Sequence, residues 1–324
     1  MIRAQQFTQG RRFGALAFLL VAYFFYAWSW NTVDILRPYI KESLGLTDFQ
    51  AGSAYTLQSI GAIIGAIVMG QVADKIGRRN ALVITMIGYG SGLLGALVIK
   101  DYTGLMIQRI GLGFFMGAMF PIAVGIYSGL FERDVRGVIA GFVLGTYNLA
   151  VAALGFMSAA AFKAGYDWKI LLWAGSIPVA IALFAFLLIP DDRRFIPMDG
   201  ASNDEAMAKT KLPITELFKP GVAKQTILLA TMTGLNFFAY QAFTGWATTY
   251  LKEDRAIPDT VVGDVLGWQF IGASIGGLVW GFISDRFGRR NAAWGFVAAA
   301  VIIPVYLFIP MPIGLLELTG FTYG

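Results

Sequence analysis

The stretch GQVADKIGRRNA, from Gly70 to Ala81, occurs a second time as GFISDRFGRRNA, from Gly281 to Ala292. Seven of the twelve positions are identical at an offset of 211 residues, which indicates an internal repeat. Each copy ends one long apolar run and precedes another. The repeat therefore predicts a short charged connector between two hydrophobic helices, at the same place in two related halves of the chain.

The composition is that of a membrane protein. Of 324 residues, 57% are hydrophobic and only 14% are charged, whereas a soluble domain carries about 25% charged residues. The charges lie in clusters between apolar runs of about 20 residues, the length that crosses a hydrocarbon core. The net charge of +5 comes from Lys and Arg between these runs, so we expect a lipid bilayer and not a nucleic acid as partner.

The sequence contains no cysteine and no histidine. This excludes thiol chemistry and histidine metal sites, and a proton carried inside the membrane would need Asp, Glu or Tyr. The pattern G-x-S-x-G occurs around Ser274, but that nucleophile needs a strained strand-to-helix turn, and here it falls within a predicted helix. We predict no enzymatic activity, no cofactor and no metal site.

Nine apolar segments are long enough to cross a bilayer. The loops between these segments alternate between the two sides of the membrane. The N-terminal residues 1–12 and the loops on the same side carry 17 Lys and Arg, and the loops on the other side carry 7. Positive residues concentrate on the cytoplasmic side, so we expect a multi-pass protein of the plasma membrane, in bacteria the inner membrane, with a cytoplasmic N-terminus. The predicted spans are Phe13–Ile40, Phe49–Val72, Ala81–Val98, Tyr102–Leu130, Gly137–Phe162, Lys169–Ile189, Gln225–Tyr250, Pro258–Ile283 and Asn291–Ile309.

A polar segment divides the chain. We predict an N-terminal six-helix bundle over residues 1–189, a cytoplasmic linker over 190–224 and a partial C-terminal bundle over 225–324. The sixth predicted span ends at Ile189, so an equivalent twelfth span would end 211 residues later, at about position 400. The second half is therefore short by about three helices. The final GLLELTGFTYG stands where a tenth span would begin, and we expect the chain to be cut there.

Glycines recur four residues apart within four predicted spans. Small residues at this spacing let helix backbones approach closely, so we expect helix packing at these positions. The four motifs are GAIIG (Gly61 to Gly65), GFFMG (Gly113 to Gly117), GFVLG (Gly141 to Gly145) and GASIG (Gly272 to Gly276).

The two repeated loops resemble the signature loop of the major facilitator superfamily, which follows the second and eighth helices of a twelve-helix, two-bundle transporter. QRIGLGFFMG, from Gln108 to Gly117, resembles the fourth-helix pattern of that family. PDDRRF, from Pro190 to Phe195, resembles the end of the sixth helix in sugar porters and metabolite or aromatic-acid proton symporters, and FTGWATTYL, from Phe243 to Leu251, resembles the seventh helix of that symporter branch. The resemblance implies an all-α polytopic membrane protein of the major facilitator fold with an incomplete C-terminal bundle.

The signature loops are candidates for a gate. A carboxylate in each loop can bond the free N–H groups at a neighbouring helix start, and the arginines can hold two bundles together when the cytoplasmic side is shut. The alternative is that these arginines only set the topology. The predicted gating residues are Gly70, Asp74, Gly77, Arg78, Gly281, Asp285, Gly288 and Arg289.

Two charged residues lie clearly inside predicted spans, Asp34 in the first and Arg109 in the fourth. At 1.5 Å per residue, both fall in the outer part of the bilayer, where they could meet. A charge in hydrocarbon is costly and is typical of an ion path. The resemblance to sugar and metabolite symporters implies proton coupling by Asp34 and Arg109. The alternatives are a fixed structural pair or an Asp34 that caps its helix.

Polar and aromatic side chains in the middle of the spans are candidates for a substrate cavity near the midplane. Each of them alone is more typical of packing. The candidates are Tyr26, Asn31, Gln58, Tyr147, Asn148, Asn236, Tyr240, Gln241 and Gln269.

Together with the resemblance, these residues predict a secondary active transporter that works by alternating access. It would move a small organic solute, an organic or aromatic acid, by proton symport. Two alternatives remain: a proton-coupled exporter of the same fold, and a truncated, non-transporting membrane protein that binds other helices.

Overall fold

The computed structural model of the chain describes residues 2–3, 7–193, 195–196, 218–288 and 293–324. The regular secondary structure of the described part is helical apart from one short parallel strand pair, in which Ile2 lies opposite Phe195 and Arg3 opposite Ile196. The predicted all-α fold is confirmed. The proposed division at residues 189 and 224 stays a prediction, since most of the linker lies outside the described residues.

The first six predicted spans form ten helices because three spans are interrupted. Three of the four interruptions fall at Leu36, at Gly117 to Ala118 and at Ser176, each two to four residues before a proline that cannot donate to the preceding turn. The fourth is a 3₁₀ turn at Ala182–Phe184, also within the sixth span. The helices are α1 (Gln9–Ile35), α2 (Arg37–Leu44), α3 (Asp48–Ile76), α4 (Arg78–Ala96), α5 (Tyr102–Met116), α6 (Met119–Leu130), α7 (Arg133–Lys163), α8 (Lys169–Gly175), α9 (Ile177–Ile181) and α10 (Ala185–Leu188).

The second half of the described chain forms five α-helices. A 3₁₀ turn at Thr244–Trp246 and a π-helical turn at Tyr250–Asp254 continue the first of them. The last helix occupies the place predicted for the start of a tenth span. The helices are α11 (Ala223–Phe243), α12 (Ala247–Thr249), α13 (Asp259–Phe287), α14 (Ala293–Phe308) and α15 (Ile313–Tyr323).

Six helical stretches are long and apolar enough to cross a membrane. The three other predicted spans are also helical, as α4, α11 and α14. The six stretches are Gln9–Ile35, Asp48–Ile76, Tyr102–Leu130, Arg133–Lys163, Lys169–Leu188 and Asp259–Trp280.

The internal repeat extends to the packing of helices. α3 and α13 each have 29 residues and begin 211 positions apart. A Cβ added to Gly61 in α3 would collide with the carbonyl of Ile110 in α5, and one added to Gly272 in α13 would collide with the carbonyl of Phe321 in α15. Residues 110 and 321 are again 211 positions apart, so α15 packs on α13 as α5 packs on α3.

The two halves meet at one end of the bundle. Where α7 crosses α13, a Cβ on Gly155 would lie 2.8 Å from the carbonyl oxygen of Gly263, and Lys163 forms an ion pair of 2.7 Å with Asp264. By contrast, Gly141 and Gly145, towards the other end of α7, have no described residue within 4 Å of an added Cβ. We call the packed end, with residues 36–48 and 251–259, the closed end. The opposite end, with residues 77 and 288, is the loop end.

Candidate functional site

Asp34 lies in the last turn of α1 and is buried. Its Oδ1 is 2.6 Å from Nη2 of Arg37 in α2 and accepts a hydrogen bond of 3.1 Å from Nε2 of Gln241 in α11. One carboxylate oxygen therefore holds groups from both halves of the chain.

Arg37 is only 2% exposed, although it borders the end of the first predicted span. Its Nη1 donates to the carbonyl oxygen of Gly245, and its guanidinium lies 4.2 Å from the centre of the Trp246 ring. Both partners belong to the second half. A buried cation needs such compensation, because removal from water is costly.

Arg109, in α5, is 1% exposed. Its Nη1 donates to Oε1 of Gln58 at 3.2 Å and approaches Oγ1 of Thr32 at 3.4 Å. The ion pair of Asp34 is thus with Arg37, and the direct contact that we considered between Asp34 and Arg109 is not formed. A small cavity nevertheless touches both arginines. With Asp34 ionised, this buried cluster carries a net charge of +1, and Nε of each arginine has no hydrogen-bond partner in the described part of the chain.

Four predicted substrate residues of the first half lie beside this cluster. Nδ2 of Asn31 donates to the hydroxyl of Tyr147 at 2.9 Å, and the rings of Tyr147 and Tyr26 are 6.4 Å apart. Gln58 donates to the carbonyl oxygen of Trp30 at 3.1 Å, so the partner of Arg109 is fixed at both ends of its amide. The Trp30 ring lies 6.1 Å from Tyr26. The result is an aromatic wall next to two buried cations.

The remaining candidates are more scattered. Gln241 contacts Asp34, Tyr240 is partly exposed, and Gln269 donates to the hydroxyl of Tyr323 at 2.7 Å. Asn148 is half-buried and Asn236 exposed, and within the described residues neither side chain forms a hydrogen bond.

The sequence matches the profile of the Major Facilitator Superfamily over residues 19–324. The chain belongs to this superfamily. It is a multi-pass membrane protein, and the predicted family and fold are confirmed.

The curated relatives of this superfamily member include carriers of aromatic acids and of a sugar. The chain is 25% identical over 301 residues to the 4-hydroxybenzoate transporter of Acinetobacter baylyi, and the match covers 84% of the chain and 65% of the relative. It is 24% identical to the gallate transporter of Pseudomonas putida, with the same two coverages. A D-xylose transporter of Levilactobacillus brevis is 27% identical over 190 residues, or 58% of the chain and 40% of the relative. The relatives are named as transporters and not as enzymes, in agreement with the prediction.

Solved structures of the superfamily share the fold. A bacterial homologue of the human lysosomal transporter Spinster, in an inward-facing conformation, superposes with a TM-score of 0.76 at 16% identity, over 98% of this chain and 74% of the other. The xylose transporter of E. coli, in a partially occluded inward-open conformation, gives a TM-score of 0.69 at 14% identity, over 97% and 81%.

The first superfamily signature loop is held by its own half of the chain. Gly77 adopts a φ of +88°, and the backbone N–H of Arg78 lies 3.0 Å from both carboxylate oxygens of Asp192, which caps α4. Arg79 forms an ion pair of 3.2 Å with Asp191. The hydrogen bond from Arg193 holds the pKa of the Asp191 carboxyl below its ordinary value.

The predicted capping carboxylate of this loop, Asp74, is exposed, and its side chain makes no hydrogen bond or ion pair with any described residue. The guanidinium of Arg78 donates to the carbonyl oxygen of Gly125 at 3.0 Å. In the second loop, Gly288 has a φ of +92°, like Gly77. The Asp285 side chain and Arg289 lie outside the described part. Gly70 and Gly281 lie within α3 and α13.

The hydroxyl of Ser274 donates to the carbonyl oxygen of Phe270 at 3.0 Å, within α13. A serine bonded back into its own helix has none of the strain of a nucleophile on a tight turn. Among the described residues, no three carboxylates are grouped as a metal site would need.

Proposed function

We propose that the chain moves a small organic acid across the membrane together with a proton, by alternating access. The observation that supports this most is the buried cluster of Asp34, Arg37 and Arg109, in which Asp34 and Arg37 bind residues of the second half and Arg109 adds a second cation. The relatives named as 4-hydroxybenzoate and gallate transporters agree with an acid as the solute. Because the chain covers 65% of the length of those relatives, their activity reaches it only as a proposal.

In this proposal Asp34 carries the proton. As a carboxylate it accepts from Arg37 and from Gln241 of the second half. A proton on Asp34 removes the charge that holds both donors, so the contact between the halves weakens at that point. Proton uptake is thereby linked to the separation of the halves at the closed end.

The two arginines would receive the solute. Arg37 and Arg109 both line the small cavity, and Nε of each is a donor without a hydrogen-bond partner among the described residues. A carboxylate can accept two parallel N–H bonds from one guanidinium, and it would neutralise the excess positive charge. The wall of Tyr26, Trp30 and Tyr147 offers faces and edges against which an aromatic ring can pack.

We further propose the predicted topology, with the N-terminus and the loop end in the cytoplasm of a bacterial inner membrane. The described conformation is then open towards the cytoplasm. The signature loop pairs within its own half in this conformation, so Asp74 and Arg78 would reach the second half only when the loop end closes.

The test is uptake of 4-hydroxybenzoate and gallate by proteoliposomes under an imposed pH gradient. We expect Asp34→Asn to lose proton-driven accumulation and to keep counterflow exchange, because the variant carries no proton but still closes around the solute. Asp167→Asn is the matched control, since Asp167 is an exposed carboxylate that pairs with Lys169 in its own half.

Accumulation that survives in Asp34→Asn contradicts the role of this residue. Efflux of the solute from the proteoliposomes, driven by proton entry, favours the proton-coupled exporter. Absence of both accumulation and exchange in the unaltered chain favours the non-transporting alternative.

A further inference from the structure

A second repeated stretch lies at the closed end. Tyr-Ile-Lys-Glu at residues 39–42 returns as Tyr-Leu-Lys-Glu at residues 250–253, at the same offset of 211. The turns that follow are also repeated, since Gly45 has a φ of +61° and Ala256 a φ of +52°. Asp48 and Asp259 then begin α3 and α13. Each half thus presents the same Lys-Glu pair and the same Asp at its closed end.

The contacts between these repeated charges are reciprocal. Nζ of Lys41 lies 2.9 Å from Oε2 of Glu253, and Nζ of Lys252 lies 3.2 Å from Oε2 of Glu42. The lysine of each half therefore pairs with the glutamate of the other.

Each lysine also has an acidic neighbour in its own half. Lys41 is 2.5 Å from Asp48, and Lys252 is 3.5 Å from Asp259. Lys252 also lies 4.1 Å from the centre of the Tyr39 ring, across the junction between the halves. The hydrogen bonds to Asp48 and Glu253 raise the pKa of Lys41, so this lysine stays charged.

We propose that Lys41, Glu42, Lys252 and Glu253 form a reciprocal latch that holds the closed end shut and opens once in each transport cycle. Both cross-half pairs must break when the halves separate there. Each lysine then keeps its own aspartate, so no ammonium is left without a counter-ion, and the barrier to opening is lowered. The lysine side chains are 23% and 20% exposed, which limits the strength of each pair to that of a partly solvated contact.

The inference rests on alternating access, but it can be tested without a transported solute. Spin labels on Ser43→Cys and Asp254→Cys, two exposed positions 211 residues apart, report the distance across the closed end in lipid nanodiscs. No other cysteine is present to be labelled. We expect one short distance in the labelled parent. In Lys41→Gln/Lys252→Gln, we expect the ratio of long to short distances to rise about fivefold, the effect of losing two partly exposed ion pairs.

Lys169→Gln is the matched control, because Lys169 pairs with Asp167 in its own half at the same end. An unchanged ratio in the double variant, or an equal rise in Lys169→Gln, overturns the latch.

A coupling test is independent of these results. Lys41→Gln/Glu253→Gln should open the closed end no more than Lys41→Gln alone, and fully additive effects overturn the pairing. If a double variant elutes as an aggregate, the single variants Glu42→Gln and Glu253→Gln are measured in its place. Each removes one cross-half pair, so each should raise the ratio of long to short distances, and an unchanged ratio in both overturns the latch. Failure of organic-acid transport with an intact latch response would count against the proposed function and not against the latch.

Discussion

The two halves of the chain share a framework and differ in chemistry. Gln58 and Gln269 are equivalent in the repeat, and their backbone carbonyls face equivalent glycines, Gly113 and Gly324, which leave no room for a Cβ.

At the buried cluster the equivalence of the two halves ends. Asp34, Arg37 and Arg109 correspond to Gly245, Thr248 and Gly320. The first half supplies the charges, and the second supplies an amide and a carbonyl that bind them. Close packing thus recurs in both halves, while the charges of the buried cluster are confined to one.

The largest expected effect comes from the charged side of this comparison. Arg109→Gln removes the cation that Gln58 and Thr32 hold, and we expect the apparent affinity for an organic acid to fall by about 30-fold. The equivalent change, Gly320→Ala, should leave affinity unchanged, because its Cβ would meet neighbours at 3.7 Å, an ordinary contact. Binding is measured by scintillation proximity with labelled 4-hydroxybenzoate. Equal losses in both variants would mean that the cluster is not the acid site.

The shared framework gives the next effect. Gly61→Ala and Gly272→Ala each place a methyl group against a backbone carbonyl, so both should destabilise the fold by about 2 kcal/mol. Gly141→Ala is the control, since no described residue lies within 4 Å of the added Cβ and alanine favours a helix. The midpoint of thermal unfolding in detergent, followed by circular dichroism, distinguishes these outcomes. A stable Gly272→Ala would break the packing equivalence of α15 and α5.

The smallest effect concerns the turn that both halves repeat. Ala256 adopts a φ of +52°, a conformation that costs a residue with a Cβ, so Ala256→Gly should stabilise the chain by about 1 kcal/mol. Gly45→Ala, at the equivalent φ of +61°, should destabilise it by a similar amount. Unfolding midpoints that move in the same direction for both variants would contradict a shared turn.

Much of the framework was predictable because it is written locally in the sequence. The repeated loops, the apolar runs and the breaks before Pro38, Pro121 and Pro178 need only nearby residues. The glycine motifs were predictable as a pattern but not in their surroundings. GAIIG and GASIG pack against a backbone, whereas GFVLG faces no described neighbour at either of its glycines.

The site was less predictable, because its decisive contacts join distant parts of the chain. Arg37 borders the predicted end of the first span, and its burial depends on contacts with Gly245 and Trp246 of the second half. The cap of α4 comes from Asp192 and not from the nearer Asp74. The Lys-Glu repeat at the closed end could have been found by reading the offset of 211 along the whole chain.

The crossing of Gly155 on Gly263 divides α7 into a short arm and a long arm. About 12 Å of α7 extends from this crossing to Lys163 at the closed end, and about 27 Å extends to Gly137 at the loop end. If the halves roll about the point where their backbones touch, the long arm moves roughly twice as far as the short one. A parting of about 3 Å, enough to break an ion pair between lysine and glutamate, then brings the loop ends together by about 7 Å. The glycine crossing lies nearer the closed end than the loop end of α7. A small movement at the closed end would therefore accompany a larger change in the opening at the loop end.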